Sequence, residues 1–184
     1  PSQEGGVYVG QNWTRSTINA QWEARVSHTV LVFDPPSPST ISNVMWVIGG
    51  DPAAAVSGCP NAGNCNDVWY STDGTSWTQA TIGAQWLART DHTSLVFNPS
   101  TDSGQAMWVI GGDPLNAVSG CPAVTECNDV WYSTTGTDWT RQTINAQWEA
   151  RRAHTSLVFN NQMWVMGGDP NAAGSGCPDS VVCT

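Results

Sequence analysis

The chain repeats itself, and that constrains its fold more than any other property. Asn66-Asp67-Val68-Trp69-Tyr70-Ser71-Thr72 returns as Asn128-Asp129-Val130-Trp131-Tyr132-Ser133-Thr134, and Met107-Trp108-Val109-Ile110-Gly111-Gly112-Asp113-Pro114 has counterparts at 45–52 and 163–170. A unit of about sixty residues is one supersecondary element that cannot bury its apolar face alone, so units of this kind must stack. The eleven Trp residues fix the register. They fall at Trp13, Trp77 and Trp139, at Trp22, Trp86 and Trp148, at Trp46, Trp108 and Trp164, and at Trp69 and Trp131, with Tyr8 in the remaining slot. The units run 6–65, 66–127 and 128–184 after an N-terminal extension, 1–5. Their lengths differ mainly at 34–44, 98–106 and 160–162, which marks a surface loop.

Composition removes several function classes. Fifteen acids face six Arg and no Lys, a formal charge of −9. A nucleic-acid partner needs a basic stripe, which is absent here, and no lysine exists to form a Schiff base. No apolar run approaches the ~18 residues of a membrane span, and there is no polybasic patch, so no membrane partner is expected. The first residues have neither the basic start nor the apolar middle of a signal peptide.

Cysteine usage points to an oxidising compartment. Cys59 with Cys65, Cys121 with Cys127 and Cys177 with Cys183 each enclose five residues of one loop. Six cysteines allow about fifteen pairings, and the repeat selects three local bridges, one per unit. Zinc sites want closer pairs and a second pair or His nearby, so disulfides and secretion are the expectation. Each short closure is worth roughly 2 to 3 kcal/mol in the chain-entropy model.

Within a unit, 93–97 and 106–110 are short apolar runs, the second ending on a glycine pair, and 67–71 and 76–81 follow the cysteine loop. All four are rich in β-branched and aromatic residues, no helical period is present, and Asp73-Gly74 reads as a hairpin signal. The expected unit is a four-stranded antiparallel sheet, and repeated four-stranded sheets suggest propeller blades. The glycine pairs 49–50, 111–112 and 167–168, the aromatic pair and later Trp, and the Arg-x-x-His elements Arg25 with His28, Arg89 with His92 and Arg151 with His154 resemble the Kelch repeat. The resemblance covers all three units and implies an all-β, Kelch-like β-propeller with a binding or scaffolding role. The 71–77 turn also resembles a sialidase-type Asp-box, one residue short and with Thr135 for Asp in unit three.

The sequence begins on third- and fourth-strand patterns, 7–9 and 12–16, and finishes after first- and second-strand patterns, 155–159 and 162–166. The expectation is two whole blades and two halves, with bare edges that invite pairing with another chain. A larger parent chain, a ring of two copies and a head-to-tail fibre all satisfy it.

Chemistry-bearing residues recur rather than converge. Three Arg-x-x-His copies read as interior polar fixtures hydrogen-bonded between blades, not as three active sites. Glu23 and Glu149 are matched by Leu87 in unit two, which argues against paired acid and base carboxylates. Asp51, Asp113 and Asp169 precede Pro and suit turn capping, with calcium the lesser reading. Trp22, Trp86 and Trp148 lie on connectors and are the candidate glycan-stacking faces. Asn12 opens the usable glycosylation sequon, and 34–40 suits O-glycosylation. No catalytic residue, metal site or cofactor is expected. The functional expectation is an extracellular, self-assembling structural protein, homo-oligomer or polymer, whose half-blades are completed by neighbouring copies; the alternative is a secreted glycan-binding module.

Overall fold

The computed structural model describes residues 15–36, 42–52, 59, 63–99, 104–114, 121 and 126–170. Among the described residues there is no helix, and every regular element is an antiparallel strand. The first sheet contains β1 (Arg25–Val26), β2 (Thr29–Val32), β3 (Met45–Pro52), β4 (Cys65–Ser71) and β5 (Thr78–Thr81). Strands β2, β3, β4 and β5 pair in chain order, and β1 joins the far end of β3. The second sheet repeats the plan with β6 (Thr93–Phe97), β7 (Ala106–Gly112), β8 (Cys127–Ser133) and β9 (Thr140–Thr143). A third has its first two strands, β11 (Thr155–Phe159) and β12 (Gln162–Met166), beside a short pair, β10 (Arg151–Arg152) with β13 (Asp169–Pro170).

Each complete sheet takes two strands from one repeat unit and two from the next. Register is conserved between the two sheets: Trp46 faces Tyr70 as Trp108 faces Tyr132. In both, the ladder slips at the glycine pair. A reason is visible at the second glycine of each pair. Gly112 has φ +102°, and a Cβ there would sit 2.7 Å from the Thr90 carbonyl and the His92 Cβ. Only glycine lets the Arg-x-x-His segment cross the strand end so closely.

Side-chain alternation gives every sheet two apolar faces, which lets the sheets stack. On one face of the first sheet, Phe33, Trp46 and Ile48 pack against Met107, Val109, Trp131 and Trp139 of the second sheet and against Trp86 of the connector that leads into it. The opposite face of the second sheet, with Leu95, Trp108 and Ile110, packs on Trp148, Met163 and Val165. Strand β6 lies beside both β2 and β11, so the second sheet is the middle layer. Burial follows: β7 is buried throughout, whereas β12 alternates between half-buried and exposed positions.

Two sequence expectations are corrected at turns. The Asp73-Gly74 connection is not a tight two-residue hairpin, because strand pairing resumes only at Thr78 opposite Tyr70. Asp73 Oδ1 accepts from the Thr75 and Ser76 amides (2.7 and 2.8 Å), while Ser71 Oγ accepts from the Gly74 amide (2.8 Å). Those donors, the Ser76 amide first, hold the Asp73 carboxyl well below the usual carboxylate range. The two-residue turn is instead Asn160-Asn161, both at positive φ between β11 and β12. Arg15 and Ser16, expected at the end of a strand, lie outside any strand. Among the described residues no neighbouring strand offers them a ladder.

Candidate functional site

Each repeat carries one polar hub where the connector, the glycine pair and the third strand meet. The Arg89 guanidinium binds Asp129 through two bonds (2.6 and 2.8 Å) and donates to the Gly111 and Leu87 carbonyls (2.8 and 3.0 Å). Both side chains are essentially inaccessible. Arg25 does the same with Asp67 (2.6 and 3.0 Å), Gly49 (2.9 Å) and Glu23 (3.1 Å). Such a planar, bidentate fork is geometry that lysine cannot supply. The indoles of Trp69 and Trp131 donate to the same carboxylates (2.7 and 2.6 Å).

The neighbouring asparagine positions the connector. Asn66 Nδ2 donates to the Ala84 and Trp86 carbonyls (2.8 and 3.1 Å), and Asn128 to those of Ala146 and Trp148 (2.9 and 3.0 Å). Connector glutamines then reach the start of the fourth strand: Gln21 Oε1 accepts from the Trp77 amide and Gln85 Oε1 from the Trp139 amide, both at 2.6 Å.

Histidine does the joining between sheets. His92 Nε2 shares a hydrogen bond with Thr29 Oγ1 of the first sheet (3.0 Å), and His154 Nε2 with Thr93 Oγ1 of the second (2.9 Å). A backbone ladder runs alongside, with the Asp91 amide donating to the Ser27 carbonyl (3.3 Å) and the Ala153 amide to the Asp91 carbonyl (2.9 Å). Burial, with Arg89 adding to it, pushes the His92 imidazole down to about 3, and burial with Arg151 pushes His154 down to about 4. Both are neutral at pH 7. His28 is also lowered, by burial and by Arg25.

The structure therefore brings each Arg and His into one hub but divides their work. Bonding between sheets was expected of both; the Arg89 side chain bonds inside its own sheet while its backbone crosses to the first sheet at the Gly50 amide and the Cys65 carbonyl (3.1 and 3.2 Å), and histidine crosses with its side chain. The partners Asp67, Asp129, Thr29 and Thr93 were missed, although Thr recurs at 29, 93 and 155 in all three units and Asp at 67 and 129 in two of them, with Gly6 in the other. That recurrence was the available signal.

The other candidates fall as follows. Cys59–Cys65 and Cys121–Cys127 are disulfides, while Cys177, Cys183 and Asn12 lie outside the described residues. Oxidation leaves no thiolate where those cysteines approach Asp67 and Asp129. Asp113 and Asp169 do not merely cap turns: both bind Arg152 (3.0 and 3.1 Å). Glycan stacking at Trp86 is corrected, since this indole is 1% exposed and wedged edge-on against Trp139. Trp148 packs on the second core cluster, and Trp22 is half-buried against Trp77.

The third hub is incomplete among the described residues. Arg151 donates to the Glu149 and Gly167 carbonyls but meets no carboxylate, and Gln147 meets no tryptophan amide. Outer faces keep exposed apolar side chains at both ends of the stack, although Val47 on the first sheet is itself covered. Val30 and Val32 are 64% and 62% exposed on the first sheet, and Phe159 and Trp164 are 57% and 45% exposed on the third, against 2% for Trp46 and Trp108.

No protein-family model matches the chain, and no curated protein matches it. Among solved structures it is similar to a structure of YjhT, with a TM-score of 0.56 at 12% identity over 79% of this chain and 44% of that one. The likeness is one of fold, and this chain spans less than half of that protein's length.

Proposed function

We propose that this is an extracellular structural protein that assembles from copies of itself, its sheets serving as Kelch-like β-propeller blades completed between neighbours. The observation that carries the reading is the third hub. Gln147 and Arg151 stand where Gln85 and Arg89 stand, beside a β12 edge that has no third strand among the described residues. Their equivalents are satisfied by strands of the pattern Asn-Asp-Val-Trp-Tyr-Ser and by the Trp that opens the fourth strand. In this sequence the remaining copy of that pattern is 7–9 with Trp13, and a neighbouring copy supplies it by strand addition. Gly6 falls in the aspartate's register there, which leaves Glu4 as the nearest carboxylate in sequence. The two disulfides support an oxidising, extracellular setting.

Hydrogen exchange tests the strand addition. Amides of β12 not bonded to β11 become protected as concentration rises; protection absent at every concentration removes the proposal. The glycan-binding alternative now rests on Trp22. Retention of any sugar by the wild type, lost in Trp22→Ala, supports it over assembly.

A further inference from the structure

Resting on the reading that copies complete one another, we infer a specific head-to-tail seam: the outer face of the first sheet in one copy receives the outer face of the third sheet in the next. The occupant is identified by the two seams already inside the molecule, because each outer face is one half of that same seam.

Three pairings make the correspondence concrete. Thr29 and Thr93 each bind the histidine of the following unit, and Thr155 is the third such threonine, exposed, its hydroxyl meeting the Met166 carbonyl (3.4 Å) and no histidine among the described residues. His28 is the matching histidine with no preceding threonine among the described residues. The backbone ladder Ser27–Asp91–Ala153 stops with the Ser27 amide at one end and the Ala153 carbonyl at the other. Both belong to exposed residues at positive φ (52° and 50°), the same backbone shape as the internal rung at Asp91 (52°).

The third pairing is a ring in a notch. At the inner seam Trp46 lies so close over Gly136 that a Cβ there would overlap the indole. Trp164 is the counterpart of Trp46, and Gly74 that of Gly136. Among the described residues, a Cβ at Gly74 would meet the Met45 methyl at 3.2 Å and Ser16 Oγ at 3.4 Å and no ring, which leaves room for one from a neighbouring copy. Beside it, Trp22, His28, Val30, Val32, Met45 and Trp77 line an open apolar depression of roughly 570 Å³. The corresponding surface of the second sheet is filled by the first sheet.

These two faces differ from each other, so the contact is heterologous: front to back, never front to front. Its occupant is a second copy of this chain. Single-face variants test that directly by light scattering after size exclusion. Val30→Asp spoils the front and Leu157→Asp the back, both at positions exposed in the single chain, with unchanged circular dichroism as the folding control. Each variant alone is expected at the monomer mass of 19.6 kDa. An equal mixture forms one good seam and stops at two copies. Val32→Asp with Phe159→Asp repeats the test should either first variant misfold.

Variants that assemble like wild type overturn the seam while leaving strand addition at β12 standing. A mixture that stays monomeric also overturns it. A wild type that never associates removes both this seam and the functional reading beneath it.

Discussion

At the residue scale, the Arg89–Asp129 pair dominates. Burying two charges is costly unless each finds its partner, and removing one partner of a buried pair costs about 3 to 5 kcal/mol. Asp129→Ala is therefore expected to lower unfolding free energy in urea by about 3 kcal/mol or more, because Arg89 is left buried and unpaired. The same substitution at an exposed acid such as Asp138 should change it by less than about 0.5 kcal/mol. The seam histidines predict a pH dependence of definite sign. His92 and His154 are neutral when folded and have folded pKa values of about 3 and about 4. The unfolded chain binds protons near 6.5, so it takes them up first on acidification. Stability is full above about pH 6.5 and falls toward pH 4, by about 1 kcal/mol per pH unit for each histidine. Asp73, depressed by its turn, begins to matter only as the pH falls to the ordinary carboxylate value of about 4, where the unfolded chain takes up its proton, so the upper window belongs to histidine. Urea midpoints at pH 7 and pH 5 read the effect, and His92→Gln should flatten it.

At the element scale, strand identity was legible because short β-branched and aromatic runs alternate with Gly, Pro and Asp clusters. The spans 93–97 and 106–110 predicted β6 and most of β7 directly. Turn geometry was not legible to the same degree. Asp-Gly signals a tight hairpin, but Ser71 and Asp73 side chains capture four amides and hold a wider turn, a competition that composition does not reveal. Nor did sequence spacing show that Asp67 and Arg25 meet across forty-two positions. The glycine pairs were read as a family signature, and their physical reason came from the crossing at Gly50 and Gly112. Gly112→Ala places a Cβ 2.7 Å from a carbonyl oxygen at a backbone angle that L residues avoid. It should destabilise by about 1 to 3 kcal/mol and lower the thermal midpoint. Gly104, with nothing within 4 Å of such a Cβ, is the control: its positive φ alone should cost less.

At the scale of the whole molecule, three sheets stacked by one repeated seam leave two unlike, apolar outer faces. Stacking cannot cover them from within the described residues, and patches of this kind mark interaction sites. The charge of −9 opposes association, since every copy repels the next. Raising ionic strength from about 0.01 M to about 0.15 M shortens the Debye length from about 30 Å to about 8 Å. Assembly should therefore tighten with salt, the reverse of an ion-paired interface. Loss of affinity over that range would place charge, not apolar stacking, at the contact.

The most direct measurement is the mass of the oxidised wild-type protein by light scattering across a concentration series. Stack completion between copies predicts a species at a whole-number multiple of 19.6 kDa that grows with concentration. A single 19.6 kDa species at every concentration would contradict it.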